Sequence, residues 1–308
     1  MDPFVDLIRL LRPSATLWVG LGGVGRWGLS FHKRDDLLFC WVEQGECQLT
    51  RPECAPVHLR ADDFVLIRTS TPFTLTTDPA VPPVDSEKAA ASPGVRRLEL
   101  GDGEGSQVIL RAGRFLFDSA NEDMLMDMLP QLVHVAADDQ SSGRLRALLQ
   151  MNETEFRRPG PGSEFVVARL IELILVEILR TQPPQVDERQ TGLLAGLSDP
   201  VVSRALAAIH EDVARDWTVA ALARLSGVSR SSFAVRFRKV VGRGPIEYLL
   251  RWRLALAKDE LRRGRLSLGE IALAVGFQSA SAFNTAFSRA TGLSPRRYAQ
   301  SAARPSPA

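Results

Sequence analysis

Between residues 222 and 298 the chain writes one pattern twice. Leu222-Ala223, Gly227, Phe233, Phe237, Gly242, Pro245 and Tyr248 are separated by 5, 6, 4, 5, 3 and 3 residues. Ile271-Ala272, Gly276, Phe283, Phe287, Gly292, Pro295 and Tyr298 are separated by 5, 7, 4, 5, 3 and 3. Such an internal repeat means two copies of one supersecondary unit. The spacing predicts a short helix (Val219 to Leu225; Leu268 to Val275) ended by a glycine able to take the left-handed backbone of a sharp turn. Ser229 and Ser279 stand where a hydroxyl caps the next helix. That second helix buries two phenylalanines one turn apart and leaves its other face small and polar. Ala223 and Ala272 let the two helices approach closely. The pattern is a helix-turn-helix, a unit whose second helix enters the major groove of DNA.

Pro245 to Arg262 joins the two copies. Proline suits a first helical turn, and Gly264 follows the end. Leu249, Trp252, Leu256 and Leu261 lie near one side of this predicted helix. About 18 residues span roughly 27 Å, on the scale of one DNA turn of roughly 34 Å.

Charge divides the chain in the same place. From Ser198 onward there are 18 Lys and Arg against 8 Asp and Glu, a net +10, while the other 197 residues carry a net −8. A basic module attached to an acidic one suggests polyanion binding by the first and a different task for the second. At 308 residues two domains are expected. The longest apolar stretch, Phe165 to Ile178, is interrupted by Arg169, Glu172 and Glu177 and is too short to span a bilayer. Residues 1 to 11 lack the features of a signal peptide. Three cysteines and no sign of export fit a reducing cytoplasm.

Residues 17 to 117 read as short strands punctuated by Gly and Pro, which suits a small all-β barrel. Helical spacing takes over after Asn121. Phe165, Ile171, Ile174, Leu175 and Ile178 belong to a helix apolar around most of its circumference, and they are the expected dimerisation seam. The expected organisation is a sensor and dimerisation domain over 1–184, a linker over 185–197 and a DNA-binding domain over 198–308.

The segment from about Leu206 to Tyr298, with GFQSASAFNTAFSRATGLSPRRY as its strongest signature, resembles the AraC/XylS DNA-binding domain. The earlier part, with Arg158-Pro159-Gly160, resembles the cupin-type sensor of one branch of that family. The resemblance implies an α+β two-domain protein: a cupin-like β barrel with dimerisation helices, then an all-α domain with two helix-turn-helix units on a linker helix. It implies a bacterial cytoplasmic transcription regulator, expected to be an activator. Promoter DNA, RNA polymerase, a second copy of the chain and an unknown small-molecule effector are the expected partners, with no membrane and no cofactor. It places base-edge contacts at Ser231, Ser232, Ala234, Val235 and Arg236 in the first unit. In the second they fall at Ala280, Ser281, Asn284, Thr285 and Arg289. Arg230, Arg238, Lys239, Arg243, Arg296 and Arg297 are the expected phosphate contacts.

Three other signals point elsewhere. Gly20-Leu-Gly22-Gly-Val-Gly25 matches GxGxxG, but no helical stripe follows to present an N-terminus to pyrophosphate. A Gly-rich loop in a β barrel is the expected reading. His32, His58, His134 and His210 show no ligand spacing, and Cys40 and Phe73 stand where related sensors place histidines, so no metal site and no catalytic residue are expected. A cupin-fold enzyme carrying a DNA module is the alternative of a different class. Cys40, Cys47 and Cys54 are the candidates for an oxidant-sensing regulator. Cys40 and Cys47 flank Glu43-Gln44-Gly45, a plausible hairpin turn, and neither has a Lys, Arg or His beside it to activate a thiolate.

Overall fold

The computed structural model describes residues 3–17, 20–34, 36–90, 97–117, 129–180 and 191–302. It divides into two compact units. Of the described residues, 13–117 and 130–180 form the first, and 3–12, Leu129 and 191–302 form the second. The expected linker is described only from residue 191.

The first unit contains β1 (Pro13–Leu17), β2 (Gly20–Val24), β3 (Gly28–Phe31), β4 (Leu37–Gln44), β5 (Glu46–Thr50) and β6 (Val57–Arg60). There follow β7 (Phe64–Arg68), β8 (Phe73–Thr76), β9 (Val84–Asp85), β10 (Arg97–Gly101), β11 (Gln107–Phe117) and β12 (Leu132–Val135). They make two sheets. One has the order β10-β2-β11-β4-β7-β12, with β1 also on β11, and the other runs β6-β5-β8-β3-β9. Strand alternation sends the side chains of β4 to two faces, and both faces are buried from Leu37 to Val42. Leu38, Cys40 and Val42 join a core shared with Leu29, Leu49, Leu59 and Leu75 of the second sheet. Leu37, Phe39 and Trp41 are buried on the opposite face, where Phe39 packs against Phe64 and Phe115.

Gly20 to Val24 is therefore a strand, paired antiparallel with β11 and parallel with β10. No helix follows Gly25; the chain enters β3 at Gly28. A Cβ at Gly23 would overlap the Trp27 indole, so this glycine serves packing rather than a phosphate. The expected hairpin between Cys40 and Cys47 is also corrected. Gly45, at φ 78°, carries the chain from β4 in one sheet to β5 in the other.

Helices Gln140–Arg157 and Ser163–Arg180 pack against one another, and the second also meets β1 and β12. This corrects the expected dimer seam. Ile171, Ile174, Leu175 and Ile178 are buried inside their own unit. Glu177 turns inward with them and pairs with Arg144 at 2.6 Å. Phe165 remains 70% exposed, with Val166 and Leu173 on the same open side.

The second unit is helical. Pro3–Leu11, Leu193–Ser198 and Val202–Glu211 precede the first repeat, and Pro295–Ala302 closes the second. Two of these differ from the sequence reading. Leu193–Ser198, of which all but Ser198 falls in the expected linker, is a helix with Leu193 and Leu194 buried, and the Gly192 N–H donates to the Val240 carbonyl at 3.1 Å. Pro3–Leu11, assigned to the sensor, buries Leu7 and Leu11 in the helical unit. Arg12 at its end pairs with Asp259 at 2.6 Å.

Candidate nucleic-acid interface

The first helix pair is Val219–Leu225 and Arg230–Val241. Thr218 accepts from the Ala221 N–H, Gly227 turns the chain at φ 74°, and Ser229 accepts from the Ser232 N–H at 3.3 Å. The second pair, Leu268–Ala274 and Ala280–Thr291, repeats these devices. Ser267 and Glu270 form a reciprocal capping box, Gly276 turns at φ 83°, and Ser279 accepts from the Ala282 N–H at 3.1 Å. Each such cap stabilises its helix by about 1 kcal/mol. Gly242 and Gly292 close the two second helices in left-handed conformation.

Phe233, Phe237, Phe283 and Phe287 are all buried, and each pair of rings stands about 5.5 Å apart. Burying a phenylalanine contributes on the order of 2 kcal/mol, so these four set the roll of both second helices. The helix Pro245–Arg263 is the spine between them. Its Tyr248 meets Phe237, whereas Leu254, Ala257 and Leu261 share a core with Ile271, Phe283 and Phe287. One continuous helix thus belongs to both cores and relates the two second helices. Arg253 reinforces it by donating to the Val213 carbonyl at 2.9 Å and the Arg215 carbonyl at 2.7 Å. Its guanidinium lies against Gly276, where a Cβ would also crowd the Ala214 carbonyl.

With the phenylalanines inward, helical spacing puts Ser231, Val235 and Lys239 opposite them in the first unit, and Ser281, Thr285 and Arg289 in the second. All six are exposed. Val235 is 71% exposed, an apolar group aimed outward as a contact to a thymine methyl requires. Ser229, Ser231 and Ser232 join hydroxyls at the start of the first helix. Ala280 stands at the first position of its helix, and Asn284 is exposed on its flank. Thr285 donates to the Ser281 carbonyl at 3.1 Å.

Two expected base-reading residues sit differently from the rest. Ala234 is half-buried on the flank. Arg236 lies on the other flank and donates through Nε to both oxygens of Asp199, at 3.1 and 2.9 Å. Asp199 was not expected in the site. The Asp199-Pro200 step before a helical run signals a helix cap, but no sequence pattern links it to Arg236. Burial opposes its charge, yet the Val202 N–H, Arg236 and the Val201 N–H together hold its carboxyl below the ordinary value.

Among the expected phosphate contacts, Arg230 opens the helix Arg230–Val241 and Arg238 and Lys239 lie in its last turn, all exposed. Arg296 and Arg297 are exposed in the first turn of the closing helix. Arg243 is half-buried. Elsewhere, Cys40 and Cys47 are buried and Cys54 is exposed. Burial, then the neighbouring Cys47, pushes the Cys40 thiol upward; burial, then Asp63, pushes Cys47 up to about 12. Phe73 is buried and stacks on Phe31 with centroids 4.3 Å apart. Among the described residues no helix is long and apolar enough to cross a membrane.

A basic helical unit carrying two capped helix-turn-helix pairs on one spine, with a two-sheet unit before it, defines a DNA-binding transcription regulator. A cupin model matches residues 2–182 and a helix-turn-helix domain model matches residues 222–301. An AraC-like transcription regulator of Streptomyces lividans is 38% identical over 301 residues, covering 97% of this chain and 98% of its own. Another from Streptomyces antibioticus is 36% identical over 301 residues, with the same coverage. The transcriptional regulator AlkR of Acinetobacter baylyi is 30% identical over 281 residues, 90% of this chain and 92% of its own. The chain belongs to the AraC-like transcription regulators, with an N-terminal cupin domain and a C-terminal helix-turn-helix domain.

Proposed function

We propose that the chain is a cytoplasmic activator whose two second helices enter successive major grooves on one face of promoter DNA and assist RNA polymerase there. The observation that carries this reading is the Pro245–Arg263 spine, which belongs to the cores of both helix pairs. At about 28 Å long it suits reading heads one DNA turn apart. Ser231, Ser232, Ala234, Val235 and Arg236, with Ala280, Ser281, Asn284, Thr285 and Arg289, are the base-reading set. Arg230, Arg238, Lys239, Arg243, Arg296 and Arg297 hold phosphates.

The two-sheet unit, read as a cupin barrel over the expected sensor span, receives a small-molecule effector and performs no catalysis. Its histidines are engaged separately, His32 with Asp85, His58 with Glu46 and His134 with Asp63. A second copy of the chain docks on the open side of Ser163–Arg180, at Phe165, Val166 and Leu173.

The experiment is footprinting of the full chain on its own upstream region, with a gel-shift series in salt. Two protected major grooves per protomer on one DNA face are expected, with affinity falling steeply as salt rises, since counterion release sets the slope. A salt-independent affinity, or protection without preferred sequence, overturns the reading.

A further inference from the structure

Asp199 has a second task besides accepting from the backbone at the start of the helix Val202–Glu211. Its side chain is 14% exposed, and Oδ1 accepts from the N–H groups of Val201 and Val202 at 2.9 and 3.0 Å. The carboxylate is therefore fixed by backbone before it meets Arg236. Arg236, 47% exposed, engages it through Nε, and Nη1 and Nη2 have no partner among the described residues. Ser231, Ser232, Val235 and Lys239 line the same open depression.

That geometry favours one kind of target. Guanine presents O6 and N7 to the major groove as two coplanar acceptors, which match the terminal fork of a guanidinium. An unrestrained arginine gives up rotamer freedom when it binds; one already held at Nε has given it up in advance. A carboxylate this close to DNA also repels phosphates, so it is a poor companion for an arginine that serves only charge neutralisation. The repeat supplies a contrast, since the residue equivalent to Arg236 in the second unit is Ala286.

We propose that Asp199 is a specificity-determining positioning residue, which holds Arg236 by Nε so that its terminal fork reads one guanine in the half-site of the first unit. The proposal rests on the assignment of Arg230–Val241 as a major-groove helix. The second unit lacks this device, so the guanine requirement falls on one side of each half-site.

The test uses the full chain. Site selection from random DNA gives the preferred sequence. Wild type, Asp199→Asn, Arg236→Ala and the double variant are then titrated by gel shift on that sequence, on versions with each guanine changed to adenine, and on random DNA. Asparagine keeps an acceptor for the Val201 and Val202 N–H groups, and thermal melts verify that each variant is folded. Both single variants are expected to lose roughly ten-fold in affinity for the preferred site, all of it at the same guanine. The double variant should be no weaker than Arg236→Ala. Asp199→Asn should bind random DNA equally well or up to about three-fold tighter, because a negative charge has gone. Equal losses on preferred and random DNA, or losses that add in the double variant, overturn the proposal. Should Asp199→Asn fail to fold, Arg236→Lys carries the test, since it keeps charge but lacks the fork; retention of the guanine preference by lysine overturns the proposal. Unchanged guanine preference in Arg236→Ala, with salt-dependent binding intact, overturns it and leaves the DNA-binding reading standing. A wild type that selects no site defeats that reading itself.

Discussion

His210 and Asp6 meet side chain to side chain at 3.2 Å although 204 residues separate them. The carboxylate can only accept, so Nδ1–H donates to it, and in this tautomer Nε2 accepts from the Tyr248 hydroxyl at 2.7 Å. Trp252 packs on the imidazole with centroids 4.3 Å apart. The helix Pro3–Leu11 is thereby tied to the Pro245–Arg263 spine shared by the two helix pairs. His210→Ala deprives the buried Tyr248 hydroxyl of this partner and opens a cavity, a loss of roughly 3 kcal/mol. The helical unit should melt about 10 °C lower. Asp6→Ala should cost less, because its side chain is partly reached by solvent. If removing residues 1–12 leaves the melting temperature unchanged, the helix contributes nothing to this unit in solution.

Asn284 and Arg238 should separate sequence reading from charge neutralisation. Asn284 offers both a donor and an acceptor on an exposed flank, the combination that pairs with adenine. Asn284→Ala should weaken the preferred site by roughly 1–3 kcal/mol and leave random DNA nearly unaffected. Arg238→Ala should weaken both about equally and reduce the salt slope by about one. Equal behaviour of the two variants on both DNAs would show that the reading face lies elsewhere.

The cysteines should divide by exposure rather than by sequence neighbours. A thiolate is the reactive form, and burial disfavours it at Cys40 and Cys47. Iodoacetamide at pH 8 is expected to label Cys54 and to reach the other two only on unfolding. The sign of the pH effect follows from raised folded values. Stabilisation of the protonated thiols is complete below their ordinary value of 9.0 and is lost as pH climbs toward about 12 at Cys47. Alkylation of Cys40 or Cys47 in the folded protein at pH 8 would show an opening of the β core.

What the sequence disclosed and what it withheld divide along sequence distance. The helix pairs were legible because caps, turns and buried phenylalanines all act within about 25 residues, and each leaves a residue type at a fixed offset. Ser229, Ser279, Gly227 and Gly276 are of this kind. Periodicity showed that Ser163–Arg180 is covered on many sides but not by what, since Ile174 in a dimer seam and Ile174 against its own sheet and helix produce the same pattern. Gly45 reads as a hairpin turn whether β4 and β5 pair or, as here, part into different sheets. Asp199 with Arg236 and Asp6 with His210 are products of tertiary packing, and no local offset announces either pair.

The final prediction concerns two adjacent residues of one helix that differ in burial. Leu173 is 51% exposed, while Ile174 is buried within its own unit. If a second copy docks on the open side, Leu173 lies in the seam together with Phe165 and Val166. Arg169 lies over the Phe165 ring at 5.6 Å, a pairing that leaves the stripe amphipathic rather than wholly apolar. Leu173→Glu then places a carboxylate in the contact between copies, where its desolvation opposes association. It should yield a folded monomer with an unchanged melting profile for the β unit. That monomer should bind one half-site normally and lose the gain that tandem half-sites give through effective concentration. Ile174→Glu should behave differently: the charge enters the monomer's own core, with a loss on the order of 4 kcal/mol that endangers folding. Light scattering, thermal melts and binding to one- and two-half-site DNA distinguish the outcomes. A Leu173→Glu protein that stays dimeric, or a wild type that is monomeric at micromolar concentration, would remove this face from the dimer and leave its apolar stripe to another partner.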